Sequence, residues 1–405
     1  MTFNTALSGL NAASADLRVT GNNIANAGTT GFKESRSEFS DVFATAYSGI
    51  SATAIGAGVK LARVAQQFTQ GNIDATGNNL DLALSGKGFF VLSDGGARNY
   101  TRDGSFQIDR DGYVVNADGK RLQAYPVKDR LTDTFDTGSL EDLRLVTTEA
   151  PPRATSGVEA VLNLSSAADD LSAVPFDAAD PSSYNYSTSL TVYDSLGQSH
   201  VSTLYFRNTG PLSWAADLSV DGALVGTEQA LTFAGDGSLA SPAGPVNFGT
   251  FAPTNGADPL DIGFDFSRAT EYGTDNAVSS LTQDGYASGR MTGVDIDQEG
   301  KVFARFTNGQ SLALGQVAIA SFANPQGLQQ AGDNAWVDTF DAGDPILGVA
   351  GSGDFGTVRS GGLEASNVDI AAQLVNLITA QRNFQANAQV ISTADAVTQT
   401  IINIR

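Results

Sequence analysis

The feature that most constrains this chain is its final stretch, which runs from Val368 to Arg405 without a Gly or a Pro. Apolar residues recur there at intervals of three and four, which places them on one face of an α-helix. A second apolar stripe runs beside the first, so this helix needs more than one packed side. Ser366 and Asn367 are candidate N-caps, and Asp369 falls in the first turn. The two stripes include Ile370, Leu374, Leu377, Phe384 and Ile391, and Val397 and Ile401.

The other end of the chain carries a matching pattern. Its large apolar residues are separated by steps of four and three, the a/d seam of a coiled coil, if the weak positions Ser14 and Gly21 are included. The two ends are therefore predicted to pair with each other. Because many seam positions are small or polar, one pair of helices buries little, and further copies of the molecule are expected to complete the packing. The large seam residues are Phe3, Leu7, Leu10, Leu17 and Ile24.

Composition excludes several classes of function. The 405 residues contain no Cys, so disulfides and thiolate metal sites are absent. The formal net charge of −21 argues against a nucleic-acid partner, because phosphate binding needs basic patches. The N-terminus lacks the basic and apolar regions of a secretory signal, and no apolar run approaches the length of a membrane span. If the protein is exported, we expect that no such signal is cleaved.

The composition changes along the chain in a nested order. Short alternating segments such as Arg121–Tyr125 and Lys301–Phe306, with turns such as Asp103-Gly104 and Asn308-Gly309, predict an all-β region, which resumes after an acidic insertion. Between Glu159 and Asp284 the only Lys or Arg residues are Arg207 and Arg268, which is typical of a solvated outer domain. The predicted fold is multidomain, with terminal helices that pair as a coiled coil and nested β domains inserted between them. The predicted domains are 1–70 (helix and linker), 71–145 with 285–362 (middle β domain), 146–284 (outer acidic β-barrel or sandwich) and 363–405 (C-terminal helix).

Two Gly-rich segments, 49–58 and 351–362, are predicted to be hinges. They would let the β domains slide while the helices stay packed. The hinge positions are Gly49, Gly56, Gly58, Gly361 and Gly362.

No catalytic, metal or cofactor site is predicted. The segment Gly351–Gly356 has the letters of a dinucleotide-binding loop, but Thr357-Val358-Arg359 follows instead of a helix. The segment Asp295–Gly300 resembles the start of a calcium-binding loop, but the acidic residue that would complete such a loop is missing. A β-turn explains the segment better. His200 is the only histidine, no nucleophile motif lies near it, and we interpret it as a surface or strand residue. The chain is therefore expected to be neither an enzyme nor a binder of small-molecule substrates.

Several blocks of sequence resemble signatures of the bacterial flagellar rod and hook family. They cover both termini and the middle β domain, whereas the acidic domain matches less distinctly. One departure is Asn383-Phe384, where many relatives carry Tyr. The blocks are Ser8–Ala13, Asn22–Asn26, Thr30–Lys33, Gly71–Ala83, Gly86–Phe90, Tyr100–Phe106, Gly112–Val115, Ser366–Asp369 and Ala380–Asn387.

This resemblance implies a structural subunit that polymerises into the flagellar hook, the flexible tube that acts as a universal joint and carries torque from rod to filament. The family's rod proteins are shorter, so the large inserted domain favours the hook, and a distal-rod subunit is the alternative. The resemblance also implies an extracellular location and export through the flagellar type III apparatus. The implied partners are further copies of the chain, the distal rod protein, the hook cap, the hook-length control protein and the hook–filament junction protein.

Two alternatives come from other classes. A secreted β-rich carbohydrate-active enzyme would need paired carboxylates across a cleft, but Asp-Gly turn chemistry already explains pairs such as Asp109 and Asp111. A surface adhesin would bind a ligand through its soluble middle part.

Overall fold

The computed structural model describes residues 2–42, 56–129, 132–145 and 149–403. Helix α1 (Thr2–Ala25) and helix α2 (Ile370–Asn403) lie near the two ends of the chain. The strands before residue 148 are β1 (Ser35–Val42), β2 (Gly58–Gln66), β3 (Ile73–Ala75), β4 (Leu82–Ser85), β5 (Phe89–Asp94), β6 (Ala97–Thr101), β7 (Gln107–Ile108), β8 (Val114–Val115), β9 (Arg121–Tyr125), β10 (Val127–Asp129), β11 (Thr134–Phe135) and β12 (Glu141–Asp142).

The strands that follow continue the same numbering. The acidic region contains β13 (Gly157–Ser165), β14 (Tyr186–Tyr193), β15 (Ser199–Gly210), β16 (Ser213–Val220), β17 (Ala223–Phe233), β18 (Leu239–Ser241), β19 (Val246–Phe251), β20 (Leu260–Asp265), β21 (Thr270–Tyr272) and β22 (Ala277–Gln283). After it come β23 (Met291–Ile296), β24 (Lys301–Phe306), β25 (Ser311–Ser321), β26 (Gln329–Gly332), β27 (Ala335–Val337), β28 (Ile346–Val349), β29 (Thr357–Ser360) and β30 (Gly362–Glu364). Short 3₁₀ turns lie at Pro181–Ser183 and Pro325–Gly327.

The chain forms two compact units. The helix–sheet unit comprises residues 1–147, 293–305 and 311–405, and the acidic unit comprises residues 148–292 and 306–310. The second unit is thus inserted in the sequence of the first, the nested order that the composition indicates.

A large sheet with an aromatic core organises the helix–sheet unit. Its strands run in the order β23-β24-β25-β9-β5-β6-β27-β26, and β25 also pairs with β28 and β5. On one side of it, the rings of Phe89, Phe322 and Trp336 lie edge to face with centroids 5.7–6.0 Å apart. Phe68 adds a further edge-to-face contact to Trp336 at 5.5 Å. Aromatic pairs in this geometry add stability beyond their buried area.

One predicted turn is wrong. Asp103-Gly104 matches a hairpin turn in sequence, but Gly104 lies where the chain passes another strand at very short range. A Cβ there would come 1.6 Å from the carbonyl oxygen of Leu82, and the Leu82 amide donates to the Gly104 carbonyl at 2.9 Å. This Gly serves close backbone approach, whereas Asn308-Gly309 does form the turn between β24 and β25.

The acidic unit is a β-sandwich, one of the two architectures predicted for it. One sheet has the order β14-β15-β16-β17-β18, and the other has β19-β20-β13-β21 with β22 beside β13. Side chains from both sheets form one buried core, in which Trp214, Phe206, Phe264 and Phe266 are the largest members. Alternate residues of β13 point into this core, which gives the period of two that a half-buried strand requires.

Candidate functional site: the terminal helix pair and its root

Helices α1 and α2 pack against each other in antiparallel orientation. Gly9 lies against Asn387, and a Cβ at Gly9 would come 2.5 Å from the Asn387 side-chain oxygen. At the other end, Asn23 Nδ2 donates to Gln373 Oε1 at 3.3 Å. The contacting residues are separated by the same number of positions on the two helices. Their order along α1 is the reverse of their order along α2. This register extends the last turns of α2, from Asp395 onward, beyond the described start of α1.

The contact between the helices consists mainly of small and polar residues. On α1 the buried positions Ala6, Ala13 and Thr20 repeat every seven residues, and Gly9 and Asn23 complete the stripe. On α2, Gln373 and Ala380 are buried, and three of the predicted stripe residues are half-buried: Leu377, Phe384 and Ile391. The coiled-coil pairing of the two ends is confirmed, but its seam on α1 lies one position away from the large apolar residues.

Large apolar side chains of both helices are left exposed. Ile370, Leu374 and Ile378 follow each other at intervals of four on one face of α2, so they form a continuous stripe. Phe3 and Leu7 are likewise exposed on α1, whereas Leu10, Leu17 and Ile24 are half-buried. The other exposed members are Val375, Val390, Val397 and Ile402, and the side chain of Ile401 lies outside the described part of the chain.

The start of α2 differs from the prediction. Asp369 is the N-cap, because its Oδ1 accepts hydrogen bonds from the amides of Ala371 and Ala372 at 2.9 and 3.2 Å. The predicted cap Asn367 instead accepts from the Glu34 amide at 2.7 Å and donates to the Gln67 carbonyl at 2.8 Å. Asn367 therefore ties the entry to α2 to the segments that flank β1 and β2.

A buried ion cluster, which we call the root cluster, lies where the helix pair joins the sheet. Glu364 accepts from Lys33 Nζ at 2.6 Å through one oxygen and from Arg102 Nη1 at 3.3 Å through the other. The Gly71 amide also donates to Glu364 at 2.9 Å, and Lys33 donates to the Thr69 carbonyl at 2.8 Å. Three side chains and one backbone amide, from four separate parts of the sequence, thus meet in one cluster.

The root cluster holds two cations and one anion in a place with almost no solvent contact. The side chains of Lys33 and Glu364 are fully buried, and that of Arg102 is nearly so. Burial lowers the pKa of Lys33 and of Arg102, although the attraction of Glu364 opposes this in both cases. Removal of the Glu364 carboxylate would leave Lys33 and Arg102 without an ion-pair partner. The carboxylate therefore stabilises the region from which both helices emerge.

The predicted hinge glycines lie near paired strands. Gly362 is the first residue of β30, which pairs with β3, and the Thr76 amide donates to the Gly361 carbonyl at 2.7 Å. Gly58 begins β2 opposite Val42, Gly56 lies just before it, and Gly49 is outside the described residues. A hinge at these positions stays a prediction.

His200 lies in the acidic unit between two carboxylates. Its Nδ1 is 2.6 Å from Asp221 and its Nε2 is 3.3 Å from Asp194. It belongs to β15, in agreement with its interpretation as a surface or strand residue, and it is buried. Burial alone lowers the pKa of His200, but the hydrogen bonds to Asp221 and Asp194 outweigh this effect and raise it.

The acidic unit is therefore expected to lose stability as the pH rises above about 6.5, the pKa of an unperturbed His. Protonated His200 is favoured in the folded state, so its contribution is complete below that pH and is lost as the pH passes the raised folded pKa. The loss should lower the thermal midpoint, and at this size each kcal/mol lost corresponds to about 2–4 °C. Fluorescence of Trp214 in a Trp336→Phe background measures this unit alone.

The matched control for this experiment is His200→Gln, which should show a smaller midpoint change between pH 6.5 and 9. Asp217, whose pKa is raised to about 6 by burial and by Glu228, is present in both proteins, so the end of its titration cancels in the comparison. Equal shifts of the thermal midpoint with and without the His200→Gln substitution would contradict the assignment of the pH dependence to His200.

The sequence segments considered for chemistry form ordinary turns and strands. The Gly351–Gly356 segment leads into strand β29, and Asp297 closes a turn between β23 and β24 by accepting from the Lys301 amide at 2.9 Å. Among the described residues, no group of His, Cys, Asp and Glu side chains is placed to hold a metal ion. Over the same residues, neither helix combines the length and apolar character needed to cross a membrane.

Models of four flagellar families match separate parts of the chain. "Flagella basal body rod protein" matches residues 3–33 and "Flagellar hook protein FlgE/F/G D1 domain" matches residues 83–154. "Flagellar basal body protein FlaE D2 domain" matches residues 163–286 and "Flagellar basal body rod FlgEFG protein C-terminal" matches residues 359–404. The paired helices and the inserted sandwich thus define a protein of the flagellar rod and hook class.

Full-length relatives identify the family within that class. The flagellar hook protein FlgE of Escherichia coli (strain K12) is 38% identical over 410 residues, which cover 100% of both chains. That of Borreliella burgdorferi is 32% identical and covers 98% of both chains. The chain belongs to the flagellar hook protein FlgE family. In fold, it resembles the crystal structure of Helicobacter pylori flagellar hook protein FlgE2, with a TM-score of 0.56 at 15% identity over 72% of this chain and 100% of that one.

Proposed function

We propose that this chain is the structural subunit of the flagellar hook and that its terminal helices drive self-assembly into a helical tube. The observation that carries the proposal is the arrangement of the helix pair, which keeps small residues inside and leaves large apolar side chains outside. The stripe of Ile370, Leu374 and Ile378 is only about half covered within the described part of the chain. Further copies of the same chain would bury it, and apolar burial favours association.

Identical subunits that join head to tail build an open helical polymer when the rotation between neighbours does not close a ring. In such a tube the helix pairs would form a packed inner layer, and the acidic unit would be the outer domain. The family is one of structural proteins rather than enzymes.

The partners and location follow from family membership as proposals. The tube would lie outside the cell between rod and filament, and its subunits would leave through the type III export apparatus without a cleaved signal. At its ends it would meet the distal rod protein, the hook cap and the hook–filament junction protein, and a hook-length control protein would act during growth.

Electron microscopy of basal bodies from a deletion strain tests the proposal. Loss of the chain should leave a complete rod without a hook, and the unsubstituted chain should restore a curved tube. A strain in which the distal part of the rod disappears would favour the alternative, a distal-rod subunit.

A further inference from the structure

A cavity of about 500 Å³ lies beside the aromatic core of the helix–sheet unit. Its apolar walls are formed by Phe68, Phe89, Phe322, Pro325 and Ile346, which we call the aromatic socket. A cavity of roughly 150 Å³ already accommodates a benzene ring. The aromatic socket therefore has room for an aromatic side chain together with a neighbouring polar group.

Cations line the same cavity. Arg102 contributes to its wall, and the buried Nε of Arg102 has no hydrogen-bond partner. In the root cluster, Arg102 shares the single carboxylate of Glu364 with Lys33, so that cluster carries excess positive charge. Lys87 and Asp354 also line the cavity, both are exposed, and neither forms an ion pair with the described residues, so the charge around the cavity remains positive on balance. The chemistry of the cavity thus favours an aromatic group that carries a carboxylate beside it.

The chain itself presents such a group close to the cavity, in a turn that is hydrogen-bonded to Asn324 and Gly327 on either side of Pro325. Phe340 is 100% exposed, which is exceptional for a large aromatic residue. Asp338 and Asp341 flank it, are both exposed, and form no ion pair in the described part of the chain. We call this segment, 338–343, the Phe340 turn.

The Phe340 turn is held in place by hydrogen bonds. Thr339 donates through Oγ1 to the Gly327 carbonyl at 2.6 Å, and Asn324 donates through Nδ2 to the Asp341 carbonyl at 2.9 Å. Within the turn, the Gly343 amide donates to the Phe340 carbonyl at 3.3 Å. A group that is already ordered loses little conformational entropy on binding, so the turn is pre-organised to present its ring.

We propose that Phe340 of one copy inserts into the aromatic socket of a neighbouring copy and that Asp341 pairs there with Lys87. A second copy of the chain is the occupant because it supplies the ring and the carboxylate that the socket fits. When the ring of one copy enters the socket of the next without a reciprocal contact, the interface is heterologous, the type that propagates an open polymer. This inference rests on the proposed self-assembly and names one of its contacts outside the helices.

Cross-linking between copies tests the contact, since the absence of Cys from the chain allows single thiols to be introduced. One protein carries Asp341→Cys and a second carries Lys87→Cys, and both are polymerised with an excess of the unsubstituted chain so that the lattice forms in every sample. Oxidation should give covalent dimers in the mixture of both and none with either alone. Polymers without dimers would overturn the contact and leave the proposed function intact. Failure of the unsubstituted chain to polymerise at all would count against the proposed function itself.

Two substitutions measure the contribution of the contact. Phe340→Ser should raise the lowest concentration that supports polymerisation about tenfold to a hundredfold, since an exposed ring adds nothing to the fold but is buried in the contact. Lys87→Glu should also impair assembly, and the charge exchange of Lys87→Glu with Asp341→Lys in one chain should restore it. An unchanged concentration for Phe340→Ser, or no recovery in the exchanged variant, would contradict the proposal.

Discussion

Replacing Glu364 by Leu should lower the free energy of unfolding of the helix–sheet unit by about 3–5 kcal/mol, the cost of breaking a buried ion pair from one side. Lys33 and Arg102 would then remain buried with no carboxylate to balance them. The Gly71 amide would lose its acceptor as well. Because these groups join the segments next to both helices, the root of the helix pair should become unstable first.

Urea unfolding measures this effect when it is followed by the fluorescence of Trp336 in a Trp214→Phe background. The pair of Lys301 and the exposed Glu299 in the same unit provides the control, because Glu299→Leu should change the stability of this unit by less than about 1 kcal/mol. Adding Lys33→Met to Glu364→Leu should recover part of the loss, since it removes one of the unbalanced charges. A loss below about 1 kcal/mol for Glu364→Leu would show that the root cluster does not hold this region together.

The double substitution of Leu374→Asp and Ile378→Asp should abolish polymerisation and leave the monomer folded. Both side chains are 47% exposed in the single chain, so the change costs the monomer little. In the tube the same positions would be covered by another copy, where unpaired carboxylates cost several kcal/mol each. The concentration needed for assembly should therefore rise more than about a thousandfold.

Sedimentation and circular dichroism distinguish loss of assembly from loss of folding. The matched control is Asn376→Asp with Asn383→Asp, which adds the same charge to exposed positions on another side of α2. The control should shift the assembly concentration far less than the stripe variant does. If the stripe variant assembles as readily as the unsubstituted chain, the stripe is not the surface that joins the copies.

Local patterns in the sequence were sufficient to predict both helices and several strands of the helix–sheet unit. The segments Arg121–Tyr125 and Lys301–Phe306 coincide with β9 and β24, because alternation and flanking turns act within a few residues. The pairing of the chain ends was also predictable, since an apolar helix requires a partner. These features depend on short-range chemistry that a single segment displays.

The seam of the helix pair was not predictable in the same way. A heptad pattern assigned to the largest apolar residues places Phe3 and Leu7 between the helices, yet Ala6, Gly9 and Ala13 lie there. Which of two adjacent stripes of α1 faces α2 depends on what covers the other faces of the helix. The sequence of one helix alone does not reveal this. A repeat of small residues every seven positions was the available signal.

The root cluster depends on contacts across most of the chain. Lys33 and Glu364 are 331 positions apart, so no local pattern connects them. Charged residues are seldom fully buried, and a sequence treats each of them as a surface residue by default. A hint existed, because Lys33 and Arg102 both lie inside blocks that resemble the flagellar family.

The helix pair keeps small residues inside and large apolar residues outside, and this arrangement has a consequence for how growth of the tube ends. In an ordinary two-stranded coiled coil the large apolar residues are buried when the two helices pair. In this chain, the pairing of α1 and α2 leaves large apolar residues exposed. Each newly added copy would hide the apolar side chains of those before it and bring an uncovered set of its own. The growing tip would thus remain equally receptive after every addition. Such a tube has no internal stop, and its final length has to be imposed by something other than its own subunits.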